Sequence, residues 1–166
     1  MSIRNLGVGS FWMICFVIIM TVFSSCRKTC EEINCNNGEC NNGRCNCYTG
    51  WGGKYCDVKI SENFIGNWAV SEVCTNANDT YFLTITESVF NSSVIVLDNL
   101  YAPNTLVEAT IDPGDARTIY ITNYYDGFNY YNGTGNLDFG TGTLTINFTV
   151  DDGISPETCE AVLTPQ

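Results

Sequence analysis

The chain has 166 residues, with 7 lysines and arginines against 18 aspartates and glutamates, a formal charge of −11 and no histidine. So acidic a chain is repelled by phosphate backbones, which argues against nucleic acid as a partner. The missing imidazole removes Ser-His-Asp and Cys-His catalysis, histidine-ligated zinc and histidine pH switching. Ten cysteines are far more than an ordinary cytosolic chain carries and point to an oxidising compartment.

Residues 1–25 read as a signal peptide. Arg4 is their only charge, and Phe11 to Phe23 is almost wholly apolar. Thirteen such residues span about 20 Å as a helix, short of the ~30 Å hydrocarbon core of a bilayer, so an export signal fits better than a membrane span. Ser24 and Ser25 directly before Cys26 resemble the lipobox of bacterial lipoproteins. That resemblance implies cleavage before Cys26 and a diacylglycerol on its sulfur, with residues 26–29 as the tether and the lipid membrane as a partner. The alternative is ordinary secretion, with cleavage after Ser24 or Ser25. Cys15 leaves with the signal. Nine cysteines then remain, and lipidation of Cys26 leaves eight that can all pair.

Composition changes near residue 58. Residues 26–59 hold six of the eight pairing cysteines, five basic and four acidic residues, whereas residues 60–166 hold fourteen acids and a single base, Arg117. Residues 57–61 read as a short linker between two modules.

Residues 30–56 carry the spacing C-x4-C-x4-C-x4-C-x-C-x8-C. A segment this short cannot bury a sufficient core and must be cross-linked, and six cysteines allow 15 connectivities. Cys45-x-Cys47, then Gly50-Trp51 and Cys56, resembles the tail of an epidermal-growth-factor-like (EGF-like) domain. The resemblance implies the pairs Cys30–Cys40, Cys35–Cys45 and Cys47–Cys56, turns at Gly43 and Gly50, and Trp51 covering the last disulfide. Calcium-binding members carry acidic or amide residues just before the first cysteine; Arg27, Lys28 and Thr29 stand there instead. The spacing and compartment also fail for zinc. No metal and no cofactor is expected, and the module reads as a rigid stalk.

Residues 62–166 read as strands throughout. Leu144, Ile146, Phe148 and Val150 alternate with polar residues, as do Val107, Ala109 and Ile111; Tyr81, Leu83 and Ile85 alternate with Phe82, Thr84 and Thr86. Further strands are predicted at 67–74, 93–98, 117–122, 128–138 and 157–164. Turn signals stand at Asp98-Asn99, Asp112-Pro113-Gly114, Asp126-Gly127, Gly140-Thr141-Gly142 and Asp152-Gly153. About eight short strands with tight turns predict a mostly β fold, an antiparallel meander barrel, with a β-sandwich as the alternative. Cys74, ending the first strand, and Cys159, in the last, are the remaining pair, and a Cys74–Cys159 disulfide needs those strands adjacent, which closure supplies. Gly66-Asn67-Trp68 resembles the Gly-x-Trp that opens lipocalin-type barrels, where the tryptophan plugs the closed end.

Candidate function rests on the run Tyr120, Tyr124, Tyr125, Phe128, Tyr130 and Tyr131, six aromatics interleaved with Asn and Asp. Such groups offer a flat apolar face with hydrogen bonds at its edge, as protein or glycan recognition uses; the competing reading is that alternate aromatics fill the barrel. Arg117, alone among acids, is a candidate anchor for an anionic ligand, or a surface ion pair. Asp112, Asp115, Asp126, Asp151 and Asp152 fall in predicted turns, where Asp has local backbone reasons to be. Sequons at Asn78, Asn91, Asn132 and Asn147 are close to the number expected by chance in a chain this rich in Asn, Ser and Thr, and do not establish a eukaryotic origin. The expectation is a non-enzymatic, membrane-anchored lipoprotein of the outer membrane or cell surface that presents a β-domain for recognition or adhesion. The alternatives are a lipocalin-like carrier of a small apolar ligand, in a barrel that Trp68, Phe82 and Phe148 would otherwise fill, and a glycan-active enzyme.

Overall fold

The computed structural model describes residues 30–166. The predicted signal peptide, the tether 26–29 and the lipid attachment at Cys26 lie outside the described residues.

The cysteine-rich module is a small hairpin held by cross-links. Strands β1 (Gly38–Asn41) and β2 (Arg44–Cys47) pair antiparallel with Cys40 opposite Cys45. Their turn is Asn42-Gly43, with φ of 51° and 78°. Two left-handed residues in succession match the twist of a hairpin and suit an Asn-Gly pair. The disulfides are Cys30–Cys40, Cys35–Cys45 and Cys47–Cys56, the pairs that the EGF-like resemblance implies.

Residues 57–61 between the two modules carry local structure of their own. Strand β3 (Trp51–Gly52) pairs with β4 (Val58–Lys59), and a 3-10 turn at Ile60–Asn63 follows at once. Ile60 and Ser61 are buried, Ile60 as part of the barrel core. The Ile60 N–H donates to the Gly50 carbonyl at 3.1 Å. Gly50 has φ +85° and packs so closely on Ser92 that a Cβ there would run into the Ser92 hydroxyl. Lys59 Nζ donates to Glu87 at 2.8 Å and Ser61 Oγ to the same carboxylate at 2.7 Å. These hydrogen bonds, Lys59 first, hold the Glu87 carboxyl below its ordinary range. An apolar residue and an ion pair therefore seat the module against one end of the barrel.

The barrel strands are β5 (Gly66–Cys74), β6 (Asn78–Glu87), β7 (Val94–Asp98), β8 (Leu106–Ile111), β9 (Thr118–Tyr125), β10 (Tyr130–Asp138), β11 (Thr143–Asp151) and β12 (Glu157–Pro165). Each pairs antiparallel with the next, and β12 returns to β5, so the sheet closes with eight strands. Cys74 faces Cys159 directly across that closing pair and is bonded to it. Closure removes most of the free edge that an open sheet of this size would expose.

Alternation decides which side chains fill the lumen. Strand β8 runs exposed–buried three times over, and β11 buries Leu144, Ile146, Phe148 and Val150, as the sequence pattern predicts. Trp68 is buried beside the module end, where its indole N–H donates to the Phe64 carbonyl at 2.9 Å. Phe82 corrects the expectation that it fills the barrel: it is 69% exposed. Leu83 and Ile85 occupy the inward parity of β6, so a residue one place away must point to solvent.

Candidate functional site

The meander sets two unlike ends. Glu87, the β6–β7 turn and Trp68 lie next to the cysteine-rich module, whereas the β5–β6, β7–β8, β9–β10 and β11–β12 turns lie at the far end. Among the described residues the bases are Arg44 and Lys54 in the module, Lys59 at the joint and Arg117 at the start of β9. None of these lies at the far end, while Glu72, Asp79, Asp126, Asp152 and Glu157 all do.

The β9–β10 hairpin gathers part of the aromatic run. Tyr125 and Tyr130 pair across the strands with ring centroids 4.7 Å apart. They are 51% and 45% exposed, and Phe128 in the turn is 84% exposed. Asp126 braces the turn by accepting from the Phe128 and Asn129 N–H groups, both at 2.7 Å, and from Tyr131 Oη at 3.0 Å. Burial acts to raise the Asp126 carboxyl, but these donors outweigh it and hold it below its ordinary value.

A β-bulge controls which tyrosines face out. Ile119 and Ile121 point inward, and unbroken alternation would turn Tyr125 inward as well. The register slips between Tyr131 and Gly133, Asn123 adopts φ 46°, and its N–H donates to Asn132 Oδ1 at 2.7 Å. One extra residue reverses the parity, so Tyr125 emerges while Tyr124 becomes part-buried against the core.

The other predicted site residues separate from this group. Tyr131 is fully buried, opposite Tyr124. Tyr120 sits lower on the outer wall, opposite Thr134, with its hydroxyl on Asp112 at 3.1 Å. Arg117 is at the module end of β9, and its guanidinium lies 4.8 Å from the Phe139 ring centroid. The strand places it away from the tyrosine tip, so it does not serve that surface as an anion anchor. Its charge contributes instead, behind the Gly140 and Thr141 hydrogen bonds, to holding the Asp138 carboxyl low.

Sequence reasoning missed a second polar group at the far end. Glu72 is 4% exposed on the inward parity of β5, in line with Trp68 and Val70. That parity was the available signal, since a carboxylate there must enter the lumen. Tyr81 Oη donates to Glu72 Oε2 at 2.7 Å and accepts the Tyr101 N–H at 3.0 Å, and Tyr101 Oη donates to Glu157 at 2.7 Å. The Tyr101 hydroxyl is thereby pushed up to about 12, first by that hydrogen bond and then by burial. Glu72 Oε1 meets only Cys74 Sγ at 3.5 Å, and a disulfide sulfur has no proton to give.

Burial therefore holds the Glu72 carboxyl above its ordinary value of 4.5, against the opposing Tyr81 hydrogen bond. The folded state keeps a proton that the unfolded chain has released, so this residue's contribution to stability falls as pH rises from the unfolded towards the folded pKa. Glu72→Gln is expected to raise the thermal midpoint at neutral pH and to leave it nearly unchanged in acid. Melting curves at the two pH values check this, and a variant less stable at neutral pH would show that the charge is favourable.

Several carboxylates are committed to turns. Asp112 accepts from Gly114, Asp151 from Gly153, and Asp152 from Ile154 and Ser155, all at 2.7–2.9 Å, while Asp115 accepts from the Thr118 hydroxyl. Glu72, Cys74 and Cys159 place three potential metal ligands within 4.8 Å, but both sulfurs are spent in the disulfide.

No protein-family model matches the chain. No curated protein matches it significantly. A solved structure described as a "putative outer membrane protein" of Bacteroides fragilis aligns with 64% of this chain at 15% identity, with a TM-score of 0.39. The chain spans about half, 52%, of that protein's length.

Proposed function

We propose that the chain is an exported, non-catalytic display module. It is anchored through its N-terminal segment at Cys26, raised on the EGF-like stalk, and recognises protein or glycan through the β9–β10 hairpin. Four disulfides support an oxidising, extracytoplasmic setting. The observation that carries the reading is the exposure of Tyr125, Phe128 and Tyr130 at the end opposite the stalk. Exposed aromatics braced by a short hydrogen-bonded turn lose little side-chain freedom on binding, which favours their use as contact anchors.

An outer surface fits better than a lumenal carrier site. Inward apolar side chains from all eight strands are packed into the core around Leu83, Ile95, Ile119, Leu144 and Ile146. The absence of histidine and the turn-bound aspartates likewise fit recognition better than acid–base catalysis.

The test is retention of the secreted chain on an array of glycans and extracellular proteins, beside a Tyr125→Ala, Phe128→Ala, Tyr130→Ala triple variant. The wild type is expected to bind selectively, and the variant to lose about 10-fold or more in affinity. Equal retention by both chains would remove the hairpin as the site.

A further inference from the structure

The wall of the barrel has a notch beside β6. Strand β7 pairs with β6 only over Thr84 to Glu87, so Asn78 to Leu83 have no strand on that side. The chain turns away at Asn99, and the Asn99–Thr105 loop folds over the mouth, burying Leu100. Between loop and strand lies a groove of about 330 Å³ lined by Asp79, Tyr81, Phe82, Asn99, Tyr101 and Pro103.

Three features of the groove point the same way. Its walls carry three aromatic rings, one of them Phe82, which is 69% exposed in mid-strand with no neighbouring strand to cover it on this side. Its one charged group is Asp79, on the solvent-exposed first part of β6. No lysine or arginine stands near it among the described residues, so the negative potential is uncompensated.

The groove is also preformed. Asn99 N–H donates to the Thr105 carbonyl at 2.7 Å, Asn104 N–H to Asn99 Oδ1 at 2.7 Å, and Tyr101 is tied at both its backbone N–H and its hydroxyl. Asn99, Tyr101 and Asn104 all hold positive φ, 77°, 69° and 63°. Left-handed backbone at a tyrosine is costly and persists only where the surroundings enforce it, as ligand clamps do.

We propose that this groove binds an organic cation of side-chain size, a primary or methylated ammonium group. Aromatic side chains that share a groove with a single carboxylate attract such groups through the ring quadrupole and the charge together, and a volume of about 330 Å³ is at the small end of ligand pockets. The site lies across the β7–β8 hairpin from the tyrosine tip and does not rest on the recognition reading.

Choline and its uncharged carbon isostere, 3,3-dimethyl-1-butanol, are the probes, titrated into the isotopically labelled, disulfide-bonded chain at constant ionic strength. Amide resonances of residues 79–82 and 99–104 are expected to shift saturably with choline and not with the alcohol. Asp79→Asn and Phe82→Ala are expected to weaken binding by about fivefold or more, while Tyr125→Ala leaves it unchanged. Both altered side chains are solvent-exposed, so the remaining resonances report that the variants stay folded. Absence of saturable shifts, equal response to the alcohol, or undiminished binding by both groove variants would overturn the proposal. Shifts confined to the Tyr125–Tyr130 hairpin would overturn it as well, while leaving the recognition reading standing.

Discussion

Replacing both Cys74 and Cys159 by alanine is expected to lower the free energy of unfolding by roughly 4–5 kcal/mol. The two residues are 85 apart in sequence and directly opposite in the strands that close the barrel. In the chain-entropy view the cross-link acts on the unfolded state: without it, the two ends of the meander must find each other across almost the whole domain. The native state loses little, since β12 and β5 keep seven register pairs from Cys159–Cys74 to Pro165–Trp68. Denaturant titration of the double variant should therefore give a much lower midpoint but native-like strand content in its absence. A midpoint within experimental scatter of the wild type would mean that closure is carried by strand pairing and packing alone.

Trp68→Ala is expected to cost about 3–5 kcal/mol. The indole is 4% exposed in the module end of the barrel, and its N–H holds the Phe64 carbonyl. Truncation leaves a cavity among Ile60, Phe64 and the lower core, and strands the Phe64 carbonyl without its donor. Because Ile60 and Phe64 belong to the segment that seats the cysteine-rich module, the variant should also loosen the joint. Trp68→Phe keeps most of the apolar volume and loses the hydrogen bond, so it should cost about 1–2 kcal/mol. A loss below about 1 kcal/mol for the alanine variant would show that the tryptophan is not a plug.

The cysteine framework and the strand alternation were legible because each obeys a local rule. Spacing within residues 30–56 carries the EGF-like pattern, and period-two patterning in β8 and β11 assigns every side chain to a face. For Phe82 two local signals conflict: hydrophobicity favours the core, whereas the inward parity of Leu83 and Ile85 turns it outward, and parity wins. The aromatic run was legible as a feature but not as a surface. Only three of its six residues, Tyr125, Phe128 and Tyr130, stand together at the tip, because the bulge at Asn123 reverses the parity of β9. A bulge depends on the register between two strands, which no single segment encodes. The Glu72–Tyr81–Tyr101–Glu157 chain joins β5, β6, the β7–β8 loop and β12, so it exists only once the barrel has closed.

The proposed recognition surface requires a barrel that is closed and filled by its own side chains, in a chain cross-linked by four disulfides. Native and denatured intact masses of the chain, secreted from an oxidising compartment, test this most directly. The denatured mass should fall below the fully reduced value by two hydrogens for each of the four disulfides, and the native mass should show no bound apolar molecule. A smaller hydrogen deficit, or an apolar species carried natively and lost on denaturation, would contradict it.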